Sequence, residues 1–149
     1  MTIPQNYFGG EKAIWVQSGW THCAVGITSG EVYMWGRSDY GQLGSSDKDD
    51  SCSETTPEIS SKTRFNYVPS CLMLNKNIRS IVCGSEHNLA LTEDSSDSNL
   101  LHSWGWNEHG NCGDGSTINV SRPLKLAIPG NVQMIGAGSG HSFALVKTY

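Results

Sequence analysis

Positive charge is scarce: 10 Lys and Arg stand against 14 Asp and Glu, for a formal net charge of −4. Arg64, Arg79 and Arg122 are isolated, and no basic stripe of the kind that neutralises phosphates runs along the chain. Nucleic acid is therefore not an expected partner. No window approaches the roughly 20 apolar residues of a membrane span. The N-terminal Met1-Thr2-Ile3-Pro4-Gln5-Asn6 has neither the basic nor the apolar region of a secretory leader. Membrane insertion is not expected, and Asn119-Val120-Ser121 reads as a turn rather than a glycosylation site. Cys23, Cys52, Cys71, Cys83 and Cys112 are odd in number and contain no Cys-x-x-Cys pair. That pattern argues for reduced thiols, hence a cytoplasmic location with the nucleus as the alternative. No phosphate-binding glycine loop opens a helix, and there is no nucleophile elbow or metal-ligand spacing. No catalytic residue, metal or cofactor is expected.

What the chain has instead is a repeat. Three times a Pro is followed by an apolar residue at three, nine and twelve positions, a Gly at fifteen and a His at eighteen. The copies are Pro4, Tyr7, Ala13, Val16, Gly19, His22; then Pro69, Leu72, Ile78, Ile81, Gly84, His87; then Pro123, Leu126, Val132, Ile135, Gly138, His141. Two copies continue into a Trp-Gly pair, Trp35-Gly36 and Trp104-Gly105, and then into Gly41-Gln42-Leu43-Gly44 or Gly110-Asn111-Cys112-Gly113. The repeats run 4–68, 69–122 and 123–149, and the first is longer because of a Ser- and acid-rich insertion at 45–61. That insertion is expected to be a surface loop without fixed structure.

Within a copy, short apolar runs rich in Val, Ile, Leu, Trp and Tyr alternate with Gly, Ser, Asp and Asn clusters, a strand-and-turn pattern. Thr28-Ser29-Gly30-Glu31 is expected to be a tight hairpin turn, and its counterpart from Thr92 to Asn99 is longer and acidic. One strand is expected to hold the Pro-x-x-apolar segment together with the apolar pair at +9 and +12, with further strands after the His, at Trp-Gly and beyond the Gly pair. A four-stranded sheet of this size cannot bury both faces alone, and radial stacking into a β-propeller solves that. The repeated His22, His87 and His141 are read as scaffold, each hydrogen-bonded within its own unit. Cys23 and Cys83 are read as small core residues, and Trp35 and Trp104 as core aromatics.

Gly-x-x-His-x-x-Ala-Leu, Gly-x-Val-Tyr-x-Trp-Gly and Gly-Gln-Leu-Gly together resemble the repeat of the regulator of chromosome condensation family. The resemblance spans the chain and implies an all-β fold, a partial seven-bladed β-propeller of about two and a half blades. It also implies that roughly four blades precede Met1, and that Tyr149 lies near a propeller end. Ser18-Gly19-Trp20-Thr21-His22, Trp35 to Gly44, Cys83 to Ala90 and Ser103 to Gly110 are similar to a secretion-linked guanine nucleotide exchange branch of that family. The implied function is a protein-binding propeller that exchanges nucleotide on a small GTPase, with a small GTPase or an exocyst subunit as partner. The alternative is a non-catalytic adaptor, for example in a translation-factor or tRNA modification complex.

Function is then sought where the copies differ. Trp20 stands where the other copies have Ser85 and Ser139, and Trp106 stands where the first copy has Arg37. Trp and Arg are favoured interface anchors. With Arg37, Asp39, Glu86, Glu108 and His109 on turns between strands, they are expected to form one rim patch on adjacent blades.

Overall fold

The computed structural model describes residues 5–45, 64–72, 74, 77–93 and 99–148. Beyond Ser45, the Ser- and acid-rich insertion lies outside the described residues, as does the tip of the acidic hairpin at 94–98. Strands β1 (Ala13–Ser18), β2 (His22–Ile27), β3 (Val32–Arg37) and β4 (Phe65–Cys71) form one antiparallel sheet in that order. Strands β5 (Ile78–Cys83), β6 (His87–Glu93), β7 (Asn99–Gly105) and β8 (Val120–Lys125) form a second, and β9 (Asn131–Ala137) with β10 (Ser142–Lys147) a two-stranded third. These are two and a half blades of a propeller. Among the described residues no helix is long and apolar enough to cross a membrane.

Local chemistry accounts for the hairpins. In the β2–β3 turn the Gly30 N–H donates to the Ile27 carbonyl at 3.0 Å, and Gly30 has φ +88°, a region that a Cβ resists. The glycine of each Trp-Gly pair is required more strictly. A Cβ on Gly36 would lie 2.4 Å from the Thr21 carbonyl oxygen, and one on Gly105 would lie 2.5 Å from that of Glu86.

The sequence repeat is out of phase with the sheets. Pro69 lies on β4 and Pro123 on β8, the last strands of their sheets, whereas Ile78 and Ile81 lie on β5, the first strand of the next. The single strand expected to hold both is thus two strands in two sheets. A proline is tolerated at such an outer edge because its missing N–H would have faced away from the ladder. The first copy departs further, since Gln5–Phe8 is a short 3-10 helix rather than a strand. Its apolar anchor is Phe8, packed edge-on against Tyr33 at 5.3 Å, while Tyr7 is largely exposed.

Alternation along the strands sends successive side chains to opposite faces. Ala24, Val32 and Met34 of the first sheet meet Ile81, Ala90 and Trp104 of the second in one buried cluster. Leu89, Leu91 and Leu101, on the other face of the second sheet, meet Val132 of the third. Phe8, Val25 and Ile27 form a smaller cluster with Tyr33 and Trp35 on the first sheet's far face. Trp104 is fully buried, as expected, but Trp35 is only half-buried because, among the described residues, no further sheet covers that face. Cys83 packs against the first cluster, and burial pushes its thiol up to about 12. The outer face of the third sheet presents Met134, Phe143 and Leu145, each more than half exposed.

The repeated histidines hold neighbouring blades together, which corrects the expectation of bonds within one blade. His22 on β2 is bonded through Nε2 to Asn88 Oδ1 on β6 at 2.8 Å, and His87 through Nε2 to Ser142 Oγ on β10 at 3.0 Å. The glycine three residues before each His makes this possible. A Cβ on Gly19 would meet the His22 ring at 2.3 Å and the Gly84 carbonyl oxygen at 2.5 Å, and Gly84 stands in the same relation to His87 and Gly138. The conserved spacing therefore encodes close approach of blade to blade; any side chain at Gly19 or Gly84 would hold the sheets apart.

Candidate functional site

At the junction of the first two blades, Glu86 sits in the turn between β5 and β6 and is almost fully buried. Its Oε2 accepts hydrogen bonds from the Thr21 hydroxyl at 2.6 Å and from Gln42 Nε2 at 2.7 Å. Arg37 Nη1 approaches its Oε1 at 3.6 Å. Arg37, the last residue of β3, is itself held by a two-point pair with Asp39, Nε to Oδ1 at 2.6 Å and Nη2 to Oδ2 at 2.8 Å. Its guanidinium also lies 4.5 Å from the centre of the Tyr40 ring. The hydrogen bond to Asp39 raises the Arg37 pKa above its ordinary value. Burial works against the charged form of Asp39, but the bond and charge of Arg37 outweigh it and hold the carboxyl below its usual range.

Gln42 ties this cluster to the core. Its side chain receives the Tyr40 N–H at 2.9 Å, and its backbone oxygen accepts from Asn88 Nδ2 at 2.8 Å and from the Trp104 indole at 2.9 Å. Asn88 thus presents Oδ1 to His22, so the blade clasp and the acidic cluster form one connected network.

The next junction has a different solution at the equivalent positions. Trp106 replaces Arg37, and Gly140 replaces Glu86. The Trp106 ring lies over Gly140, with Cζ3 3.6 Å from where a Cβ would be. The Trp106 backbone N–H donates to the Glu86 carbonyl at 2.8 Å, and the ring meets His109 edge-on at 4.9 Å. Trp20 is anchored through its backbone, whose N–H donates to the Ser85 carbonyl at 2.8 Å, while the residue as a whole is 82 % exposed.

Of the seven residues singled out from the sequence, Trp20, Arg37, Glu86, Trp106, Glu108 and His109 line one open cleft of about 480 Å³ spanning the two junctions. Asp39 stands behind Arg37 and is not part of the lining. Sequence reasoning missed Tyr40, Thr21 and Gln42. The Gly41-Gln42-Leu43-Gly44 segment stands out only as a repeated glycine pair, and nothing in its spacing reveals that a neighbouring repeat supplies a buried carboxylate for Gln42. Gly140 is missed for a related reason, since the signal is the paired replacement of Arg and Glu by Trp and Gly across two copies.

The arrangement offers aromatic surface beside carboxylates. Glu86 is occupied by three neighbours, and among the described residues no group of three or more His, Cys, Asp or Glu could hold a metal ion.

Comparison with known proteins agrees with the sheet architecture. The mouse (Mus musculus) secretion-regulating guanine nucleotide exchange factor is 41 % identical over 152 aligned positions, covering 97 % of the chain and 32 % of that protein. The ultraviolet-B receptor UVR8 of Arabidopsis thaliana is 31 % identical, covering 94 % of the chain and 28 % of the receptor. The chain thus spans about a third of the length of these relatives. Among solved structures, Prp20p from Saccharomyces cerevisiae superposes with a TM-score of 0.76 at 21 % identity, over 97 % of the chain and 32 % of Prp20p, a likeness of fold. The regulator of chromosome condensation (RCC1) repeat matches residues 29–91 and 98–145, most of the chain, and the protein belongs to the family built from that repeat.

Proposed function

We propose that these repeats are the protein-binding part of a guanine nucleotide exchange factor for a small GTPase, acting in the regulation of secretion. The observation that carries this reading is the 41 % identity to the secretion-regulating exchange factor over 97 % of the chain. The geometry is compatible with it in one respect. Exchange requires no bond-making residue; the exchange factor stabilises the nucleotide-free GTPase by binding that state better than the nucleotide-bound one. The cleft of Trp20, Trp106 and Glu86 supplies a contact surface of that kind, and the cytoplasm, with the nucleus as alternative, is where it would act. The test is release of a fluorescent guanine nucleotide from a panel of purified small GTPases, measured with a protein carrying these repeats and with its Trp20→Ala variant. Acceleration that weakens in the variant supports the reading, and no acceleration with any GTPase overturns it.

A second reading is a non-catalytic adaptor, with an exocyst subunit or a translation-factor or tRNA modification complex as its partner. It is supported by the breadth of the relatives, since UVR8 is named as a light receptor and the human E3 ubiquitin-protein ligase HERC2 is 30 % identical over 92 % of the chain. Repeats this similar serve proteins of several kinds. Binding to a purified partner without nucleotide release would favour this reading.

A further inference from the structure

We infer that the cleft between the two blade junctions receives an arginine side chain of a partner protein, stacked on Trp20 and Trp106 with its guanidinium directed at the exposed carboxylate of Glu108. The inference rests on the reading of this cleft as a protein-contact surface and specifies the chemistry that it recognises.

Three observations point to a cation. First, the charge is uneven: among the described lining residues Glu86 and Glu108 stand against the guanidinium of Arg37, which is already engaged by Asp39 and Glu86, so Glu108 is the carboxylate that Arg37 does not engage. Second, Arg37 is not available to an acidic partner. Asp39 holds it at two points, Glu86 lies 3.6 Å away, and the Tyr40 ring occupies one face of its guanidinium. An incoming carboxylate would have to break that pair and then sit among like charges, whereas an incoming cation meets unbalanced negative charge. Third, the aromatic surface is displayed rather than packed away. Trp20 leaves 82 % of its surface in solvent although its backbone is fixed, and Trp106 is propped over Gly140 and steadied by His109. Indole faces are the strongest aromatic partners of a cation. Arginine fits better than lysine, because a planar guanidinium can stack on an indole while its edge donates two hydrogen bonds to a carboxylate.

The same kind of pairing already exists inside the chain, where Arg37 lies over Tyr40 and pairs with Asp39. The cleft repeats those components, aromatic ring and carboxylate, with the guanidinium left to the partner.

The test is a titration of the 149-residue chain, with its indole N–H resonances observed by NMR. Three nine-residue Gly/Ser peptides serve as probes, carrying a central arginine, citrulline or glutamate. The arginine peptide is expected to shift the Trp20 and Trp106 signals, while the citrulline and glutamate peptides leave them in place. Trp20→Ala is expected to weaken arginine-peptide binding about fivefold, the scale of one cation–aromatic contact, and Glu108→Gln about twofold. Both side chains are exposed, so neither change endangers the fold. Equal response to citrulline, stronger response to glutamate, or no response to arginine overturns the inference. Such a result leaves the contact-surface reading to the nucleotide-release and partner-binding measurements with Trp20→Ala, so the two can fail separately.

Discussion

The His22 Nε2 atom lies 2.8 Å from Oδ1 of Asn88, 66 positions away and on the neighbouring blade. Because Asn88 Nδ2 is committed to the Gln42 carbonyl, the amide must present its oxygen to the ring, and His22 donates from Nε2. One blade further, His87 faces Ser142 Oγ, whose own proton goes to the Asn111 carbonyl at 2.6 Å, so His87 donates from Nε2 as well. Both rings are buried, and each keeps Nδ1 without a hydrogen-bond partner. The scaffold histidine is a clasp between repeats.

Breaking that clasp should cost more than one average hydrogen bond. Asn88→Ala strands the His22 N–H and removes a donor from Gln42, and a loss of about 1–3 kcal/mol in unfolding free energy is expected. Chemical denaturation at neutral pH measures it. A change within experimental error of zero would mean that the contact is incidental.

The clasp should also make stability depend on pH. Burial lowers the His87 pKa from 6.5 to about 4, with the charges of His22 and His141 adding to the effect, and burial lowers that of His22 too. The folded state thus binds these protons more weakly than the unfolded state. Their contribution is complete above the unfolded value of 6.5, is lost as pH falls, and reaches its full loss once pH is below about 4. Denaturation midpoints between pH 8 and pH 4 should fall across this window. His87→Asn should flatten the slope, and an unchanged slope would contradict the assignment.

Gly19 and Gly84 should reject even a methyl group. Neither has positive φ, so the penalty is purely steric, and Gly19→Ala would press on both the His22 ring and the Gly84 carbonyl. A loss of about 1–3 kcal/mol is the usual scale of such overpacking. Gly140→Ala meets only an ordinary 3.6 Å contact with Trp106 and should be nearly neutral. Thermal melts of the three variants compare them directly.

The two junctions should be interchangeable when both positions change together. Gly140→Glu alone places a carboxylate under Trp106, and Trp106→Arg alone removes the ring that covers Gly140. The double variant recreates the Arg37 and Glu86 pairing, and a favourable coupling of about 0.5–3 kcal/mol is expected from a double-mutant cycle. Additive losses would show that the two replacements are independent.

The outer face of the third sheet should drive self-association of the isolated chain. Phe143 and Leu145 stand on β10 where Leu89 and Leu91 are buried on β6, yet they are 62 % and 59 % exposed. Light scattering should show concentration-dependent association that Leu145→Lys reduces. A monomer indifferent to that substitution would count against it.

Much of this architecture was legible in the chain. The period of two around Val32 to Arg37, the glycine turns and the regular Pro, Gly and His spacing identify strands, hairpins and repeated units, because each depends on residues close together in sequence. Of the seven candidate residues, Trp20, Trp106 and Arg37 come from comparing copies and the others from their places on turns between strands, and six of the seven line one cleft. The phase of the sheets was not legible. Pro69 and Ile81 keep a constant spacing whether they lie on one strand or on the last of one sheet and the first of the next.

The amino-acid sequence by itself determined the repeat, the strand-forming runs and the positions at which one copy departs from another. Only the tertiary structure decided that His22 reaches Asn88 and not its own sheet, that Gln42 and Thr21 satisfy Glu86, and that Trp106 covers Gly140. The reason is that every copy carries the same groups at the same spacing, so periodicity cannot tell a bond within a repeat from the same bond to the next. Close packing of one blade on another removes that ambiguity, since buried polar groups must find partners and the glycines at 19 and 84 bring the adjacent blade within reach.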